Sequence, residues 1–204
     1  MALKVSKTYA ENEKIRIFNN YLFIDGFASK YIKIKNKILE IAKRSTYENY
    51  KLLAQQWIED NRSTNLNNQQ KEILLNIFND SNLGVIYGPA GTGKTLLLKF
   101  ISEITKSRKK LFLAQTNVCV NNLKQKIGKY SSNDRFLTIS SFKKQLADPD
   151  NSTKYNVIII DECSVISNDD INDILQKAKY EQLIFVGDNQ QIESIRLGTW
   201  FKSI

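Results

Sequence analysis

The stretch LGVIYGPAGTGKTLLLKF (83–100) decides how this chain folds, because it joins an apolar strand to a helix through a glycine-rich loop. The loop GPAGTGKT (88–95) has the spacing G-x-x-x-x-G-K-[ST]. Its glycines let the backbone curl so that N–H groups point at phosphate, and the following helix adds the positive end of its dipole. Lys94 supplies a mobile charge for the β- and γ-phosphates, and Thr95 supplies a hydroxyl for Mg²⁺. The loop therefore predicts binding of a nucleoside triphosphate.

Downstream of this loop, short apolar strands alternate with helices, which is typical of a parallel sheet covered on both faces. The predicted strands are LGVIYG (83–88), KLFLAQ (110–115), FLTI (136–139), NVIIID (156–161) and QLIFVGD (182–188). The predicted helices run over about 94–106, 117–128, 140–147 and 169–178. In such sheets the functional residues lie at the carboxyl ends of the strands. The fold class is therefore α/β.

The polar stretch EDNRSTNLNNQQ (59–70) separates this region from the N-terminal part of the chain. We predict a small α+β accessory segment at 1–64 and the α/β domain at 65–204. In the accessory segment, two apolar runs flank Asn19-Asn20, which favours a hairpin, and two helical segments follow. The first helix carries apolar residues at helical spacing, namely Ile34, Ile38 and Ile41. We interpret these apolar stripes as surfaces that pack against the next domain.

The composition excludes several classes of protein. Hydrophobic residues make up 42% and charged residues 25% of the chain, which is ordinary for a globular protein, and no apolar run is long enough to span a membrane. Without histidine the chain has neither a His-based catalytic group nor a common zinc site. Cys119 and Cys163 are too few for a disulfide framework, so we interpret them as reduced apolar fillers in a cytoplasmic protein. The net charge of +9 favours a nucleic-acid partner, or reflects Lys-rich composition alone.

An acidic pair ends one of the predicted strands. VIIIDECS (157–164) places Asp161 and Glu162 after four apolar residues. A carboxylate at a strand end can hold Mg²⁺, and its neighbour can orient or deprotonate the attacking water. We therefore expect Asp161 to be a metal ligand with Thr95, and Glu162 to be the base for hydrolysis.

Together with these two motifs, four further segments make the chain resemble a superfamily 1 helicase. LNNQQKEIL (66–74) resembles the Q motif, and AQTNVCVNNL (114–123) resembles motif Ia. TISSF (138–142) is similar to the Thr-x-x-Ser/His-Phe segment that follows motif Ia. VGDNQQIESIRLGTWF (186–201) resembles motif III, and Asp161-Glu162-Cys163-Ser164 resembles motif II. The similarity is greatest to the 5′→3′ branch, which contains RecD-like, Pif-like and nonsense-mediated-decay helicases.

The resemblance implies a RecA-like P-loop NTPase domain, the first of two motor domains, which binds ATP and Mg²⁺ and moves on single-stranded DNA or RNA. It implies that Gln70 contacts adenine and that Gln191 senses the γ-phosphate. The expected catalytic residues are then Lys94, Glu162 and Gln191. The nucleotide-binding residues are then Gln70, Gly88, Pro89, Ala90, Gly91, Thr92, Gly93, Lys94 and Thr95. The expected nucleic-acid contacts are Thr116, Asn117, Thr138 and Ser140. The sequence departs from the family pattern at Gln115, Cys119 and Glu193.

The resemblance ends just past motif III, so the second RecA-like domain and its arginine residues are expected to be missing from this chain. Because an arginine finger contributes roughly 10³–10⁵ in rate, we expect slow hydrolysis by the chain alone. Two alternatives remain open. One is a free-standing PhoH-like P-loop ATPase that receives an arginine from another copy, and the other is a nucleotide-gated nucleic-acid-binding module without turnover.

Two further features have alternative interpretations. The lysines after motif Ia form either a phosphate-tracking face or a solvated helix face: Lys124, Lys126 and Lys129. Trp200 and Phe201 either stack on bases or pack in the core.

Overall fold

The computed structural model describes residues 15–18, 21–44, 48–61, 66–79, 81–128, 132–150, 153–188 and 200–203. The strands are β1 (Ile15–Phe18), β2 (Tyr21–Ile24), β3 (Leu83–Tyr87), β4 (Lys110–Ala114), β5 (Arg135–Thr138), β6 (Lys154–Ile160) and β7 (Lys179–Gly187). The α-helices are α1 (Asp25–Ala42), α2 (Glu48–Asp60), α3 (Asn68–Ile77), α4 (Lys94–Ile104), α5 (Asn117–Ile127), α6 (Ile139–Leu146) and α7 (Asn168–Lys177). Short 3₁₀ turns occupy Cys163–Val165 and Trp200–Ser203.

Five strands form one parallel sheet in the order β3-β7-β6-β4-β5. This confirms the predicted α/β class, and each predicted strand and helix of the α/β domain is present within two or three residues of its expected ends. Strands β1 and β2 pair antiparallel as a separate hairpin, while the predicted turn at Asn19-Asn20 lies outside the described residues. The order places β7 between the phosphate-loop strand β3 and the acidic strand β6.

Successive side chains of the central strands point to opposite faces of the sheet, and both faces are buried. On β6, Val157 and Ile159 face the cluster formed with α3, α4 and α5, whereas Ile158 and Ile160 face the cluster formed with α1, α6 and α7. All four side chains are fully buried. Because neither face meets water, polar side chains that take part in chemistry are confined to the ends of these strands.

Helices α1 and α2 cover opposite faces of this sheet. The apolar stripe of α1, which the sequence predicts, packs in the cluster with Ile158 and Ile160. Helix α2 instead buries Ala54 on the other face and places the Trp57 ring 4.8 Å from the Phe100 ring of α4. This arrangement fits our interpretation that the N-terminal stripes pack against the following domain, and the boundary at residue 64 stays a prediction. None of the helices in the described ranges has the length and apolarity needed to cross a membrane.

We expect α1 to contribute directly to the stability of the α/β domain. Ile38 is 3% exposed against the sheet, whereas Ile32 on the same helix is 54% exposed. The substitution Ile38→Ala should lower the free energy of unfolding by about 2–5 kcal/mol, because it leaves a cavity in a packed core. Ile32→Ala is the matched control and should change it by less than about 0.5 kcal/mol. Urea denaturation of both variants measures the difference, and equal effects would contradict this packing.

Candidate functional site

The glycine-rich loop between β3 and α4 adopts a backbone that only glycine accepts easily. Gly91 and Gly93 have φ values of 83° and 87°, in the left-handed region. Gly93 is also the N-cap of α4 and offers no side chain to the first-turn N–H groups, so these groups are available to an anion. Lys94 Nζ donates hydrogen bonds to the carbonyl oxygens of Gly88 at 2.5 Å and Pro89 at 2.8 Å, which holds the ammonium group over the loop.

The acidic pair lies at the carboxyl end of β6. The Asp161 N–H donates to the Leu113 carbonyl of β4 at 2.9 Å, and the Asp161 carboxylate accepts from the Glu162 N–H at 3.0 Å. Burial raises the pKa of Asp161, and the positive charges of Lys94 and Lys126 oppose that shift. Asp161 therefore sits where a bound cation would favour its charged form.

A cavity of about 430 Å³ brings the loop and the acidic pair together. The predicted site residues that line it are Ala90, Gly91, Gly93, Lys94, Thr95, Asp161 and Glu162. The Thr95 hydroxyl and the Asp161 carboxylate are oxygen donors of the kind that Mg²⁺ prefers, and Mg²⁺ commonly takes its remaining ligands from phosphate and water. These side chains therefore fit a magnesium ion bound together with a nucleotide.

Three lining residues were not among the predicted site residues: Lys126, Gly187 and Asp188. Asp188 follows β7 and is buried. Its signal in the sequence was a polar residue directly after a buried strand, as for Asp161. Lys126 is seven residues after Cys119 on α5, so both lie on one face of that helix. Gly187 is required by close packing, because a Cβ there would lie 2.5 Å from the Phe201 ring.

A second cavity, of about 650 Å³, lies on the α3 side of the loop. Gln70 lines it and is the third residue of α3, where it completes a capping box with Asn67. Its amide nitrogen also donates to the Thr92 carbonyl at 3.3 Å, so Gln70 links α3 to the loop. Each amide atom keeps one further hydrogen-bonding position. The role of Gln70 in contacting adenine stays a prediction.

Glu162 is held by a short chain of hydrogen bonds from α5. Cys119 Sγ donates to a Glu162 carboxylate oxygen at 3.1 Å, and the Thr116 hydroxyl donates to Cys119 Sγ at 3.1 Å. Burial raises the pKa of the Cys119 thiol, which keeps its proton on sulfur. Cys119 is thus more than an apolar filler, since it donates to the predicted base, whereas Cys163 is fully buried as expected.

The predicted nucleic-acid residues lie together at one edge of the sheet. Thr116 is the N-cap of α5, and Thr138 is the N-cap of α6. They follow the neighbouring strands β4 and β5, and the first-turn residues Asn117 and Ser140 are exposed beside them. Two adjacent helix N-termini with exposed hydroxyl and amide groups suit the phosphates of a strand. Their contact with nucleic acid stays a prediction.

The end of the chain distinguishes between the two interpretations of its aromatic pair. Trp200 and Phe201 are buried, and the Trp200 indole N–H donates to the Ile166 carbonyl at 2.9 Å. The Trp200 ring lies 5.0 Å from the ring of Phe185 on β7. Both side chains therefore belong to the core and are not available for stacking on bases. Gln191 lies outside the described residues, and its role stays a prediction.

The backbone at Glu162 leads to a test of strain. Among the residues described, Glu162 is the one non-glycine residue with positive φ, at 55°. Glu162→Gly and Glu162→Ala both remove the carboxylate and its contact with Cys119, but only alanine keeps a Cβ in the left-handed region. The glycine variant should therefore be more stable than the alanine variant by about 1 kcal/mol, the reverse of the order in regular structure. Thermal or urea denaturation measures the difference, and an equally stable alanine variant would argue against strain.

Known proteins similar to this chain include a solved helicase structure and a domain family. A solved structure described as "The structure of PRRSV helicase" shares 15% sequence identity, covers 58% of this chain and 27% of that chain, and superposes with a TM-score of 0.42. No curated protein matches the chain. The family model described as "AAA domain" matches residues 65–204, from just before α3 to the end of the chain. The chain therefore belongs to the AAA domain family.

Proposed function

We propose that this chain is the first motor domain of a superfamily 1 helicase, which binds and hydrolyses ATP and moves on single-stranded DNA or RNA. The observation that carries the proposal is the cavity in which Lys94 and Thr95 face Asp161 and Glu162. The residues that we assign to phosphate binding and to activation of water line one polar cavity at the carboxyl edge of the sheet.

Each group has a distinct role in nucleotide binding. The first-turn N–H groups of α4 point along the helix axis and would donate hydrogen bonds to the phosphate oxygens. Lys94 is held over the loop by the Gly88 and Pro89 carbonyls, and it exchanges these contacts for phosphate oxygens when nucleotide binds. Thr95 and Asp161 would hold Mg²⁺, which neutralises charge on the phosphate oxygens when it is bound with the nucleotide.

Glu162 is the base that we assign to hydrolysis. Its carboxylate lines the cavity, and Cys119 fixes one of its oxygens through the 3.1 Å hydrogen bond. The other oxygen can accept a proton from a water that faces the terminal phosphate. A positioned base of this kind contributes about 10²–10⁴ in rate. The strained backbone at Glu162 supports this assignment, because strain of this type clusters at functional sites.

The helicase part of the proposal rests on the edge formed by α5 and α6. Thr116 contacts Cys119, which in turn contacts Glu162, so the expected strand-binding edge and the expected base are joined through two hydrogen bonds. Opening and closing of two motor domains would then convert hydrolysis into movement along the strand. The second RecA-like domain would come from outside residues 1–204.

Two substitutions test binding and hydrolysis separately. Lys94→Ala should weaken binding of Mg·ATP by about 100-fold, because charged hydrogen bonds to phosphate are lost. Lys106→Ala, an exposed lysine beyond the end of α4, is the matched control and should bind as the wild type does. Glu162→Gln should keep the affinity and lower hydrolysis by about 100-fold. Isothermal titration calorimetry and phosphate release measure both quantities.

Several outcomes would contradict the proposal. Unchanged affinity of the Lys94→Ala variant would show that the loop is not the nucleotide site. Equal turnover of the Glu162→Gln variant and the wild type would remove Glu162 as the base. Strong turnover only in a ring or dimer, seen by size-exclusion chromatography with ATP, would favour the free-standing ATPase over the helicase motor domain.

A further inference from the structure

Lys126 is an exposed lysine of α5 whose side chain lines the cavity at the phosphate loop. Cys119 and Lys126 are seven residues apart, so they lie on the same face of the helix, about 10 Å apart along its axis. Cys119 contacts Glu162, and side chains of long residues lean toward the N-terminus of their helix. The Lys126 side chain therefore extends toward Glu162, and it lines the cavity that contains Lys94 and Asp161.

The two cavities at the phosphate loop give a bound nucleotide a direction. Both are lined by Gly91 and Lys94, so they meet at the loop. The cavity on the α3 side is lined mainly by neutral side chains, among them Gln70, Ile73 and Tyr87, which suit a base and a ribose. The 430 Å³ cavity is lined by charged side chains. If the nucleobase lies in the cavity on the α3 side, the phosphate chain therefore ends among these charged side chains.

Acidic side chains outnumber basic ones in the lining of the 430 Å³ cavity. Asp161, Glu162 and Asp188 all line it, and Mg²⁺ held at Asp161 would offset that carboxylate but would leave Glu162 and Asp188 to repel the terminal phosphate of a triphosphate. Lys94 and Lys126 are the lysines that line the same cavity within the described part of the chain. Lys94 reaches the phosphates from the loop, where the Gly88 and Pro89 carbonyls hold it, whereas Lys126 lines the cavity from α5 and can balance charge on that side.

We propose that Lys126 binds the terminal phosphate of the nucleoside triphosphate, which makes it a group that distinguishes a triphosphate from a diphosphate. The proposal rests on the proposed function, since it needs a nucleotide at the loop. A diphosphate would reach Lys94 but would end before Lys126. Binding of a triphosphate would thereby connect α5, and the edge that begins at Thr116, to the phosphate loop.

A neighbouring lysine provides the matched control. Lys124 and Lys126 both lie in the last turn of α5 and are exposed, so removal of either one changes net charge and the interaction with the helix dipole equally. Lys124 is turned about 200° around the helix from Lys126 and lines neither cavity. A difference between the two variants therefore reports on the cavity and not on general electrostatics.

The experiment is calorimetric titration of the chain of 204 residues with Mg·ADP and with a non-hydrolysable Mg·ATP analogue. Lys126→Ala should weaken binding of the triphosphate by about tenfold and binding of the diphosphate by less than about twofold. Lys124→Ala should leave both affinities as in the wild type. Lys126→Arg should restore most of the triphosphate affinity, because guanidinium also binds phosphate.

The outcomes distinguish a failure of the Lys126 assignment from a failure of the proposed function. If Lys126→Ala and Lys124→Ala bind the triphosphate equally well while Lys94→Ala loses binding, the assignment of Lys126 is overturned and the nucleotide site stands. If Lys126→Ala weakens both nucleotides equally, Lys126 does not contact the terminal phosphate, and the assignment is again overturned. If the wild type binds neither nucleotide, the proposed function fails and this inference fails with it.

Discussion

The burial of both faces of one parallel sheet is the constraint on which the rest of the structure depends. Strands β4, β6 and β7 are enclosed by helices on either side, and their apolar residues are almost completely removed from water. A charged side chain inside these layers would lose its hydration without compensation. The groups that can perform chemistry are therefore found where the strands end, at Asp161, Asp188 and Thr116.

Conformational strain is concentrated at the same edge. The left-handed residues Gly91, Gly93 and Glu162 all line the cavity of the phosphate loop. The two glycines adopt this backbone without a steric penalty, whereas at Glu162 it costs about 1–2 kcal/mol, which the buried layers below it offset. The buried sheet thus supports a backbone conformation at Glu162 that an isolated loop would rarely adopt.

Local patterns in the sequence predicted most of the fold. An apolar run such as NVIIID predicts a strand, and the spacing of the loop GPAGTGKT predicts phosphate binding. Both could be assigned without knowledge of the rest of the chain. The α/β class and the strand and helix positions in that domain are confirmed by the structure.

The motifs predicted that Thr95 and Asp161 meet, but the sequence did not indicate which further side chains join them at the edge of the sheet. Asp188 joins the cavity only because β7 lies between β3 and β6, an order that no local pattern reveals. Lys126 joins it because of the rotation of α5, and Cys119 contacts Glu162 because α5 packs beside the end of β6. Such contacts depend on non-local packing, which a single sequence does not specify.

The position of Trp200 gives the molecule its own optical probe. Its indole ring packs against Phe185 and Phe201, and Phe201 in turn lies against Gly187 at the base of the cavity. The emission of a buried indole responds to the dipoles and rings around it, so any rearrangement at the end of β7 alters the fluorescence of Trp200. Trp57 lies on the opposite face of the sheet, beside Phe100. With Trp57 replaced by phenylalanine, events at the phosphate cavity become visible in solution without an attached dye.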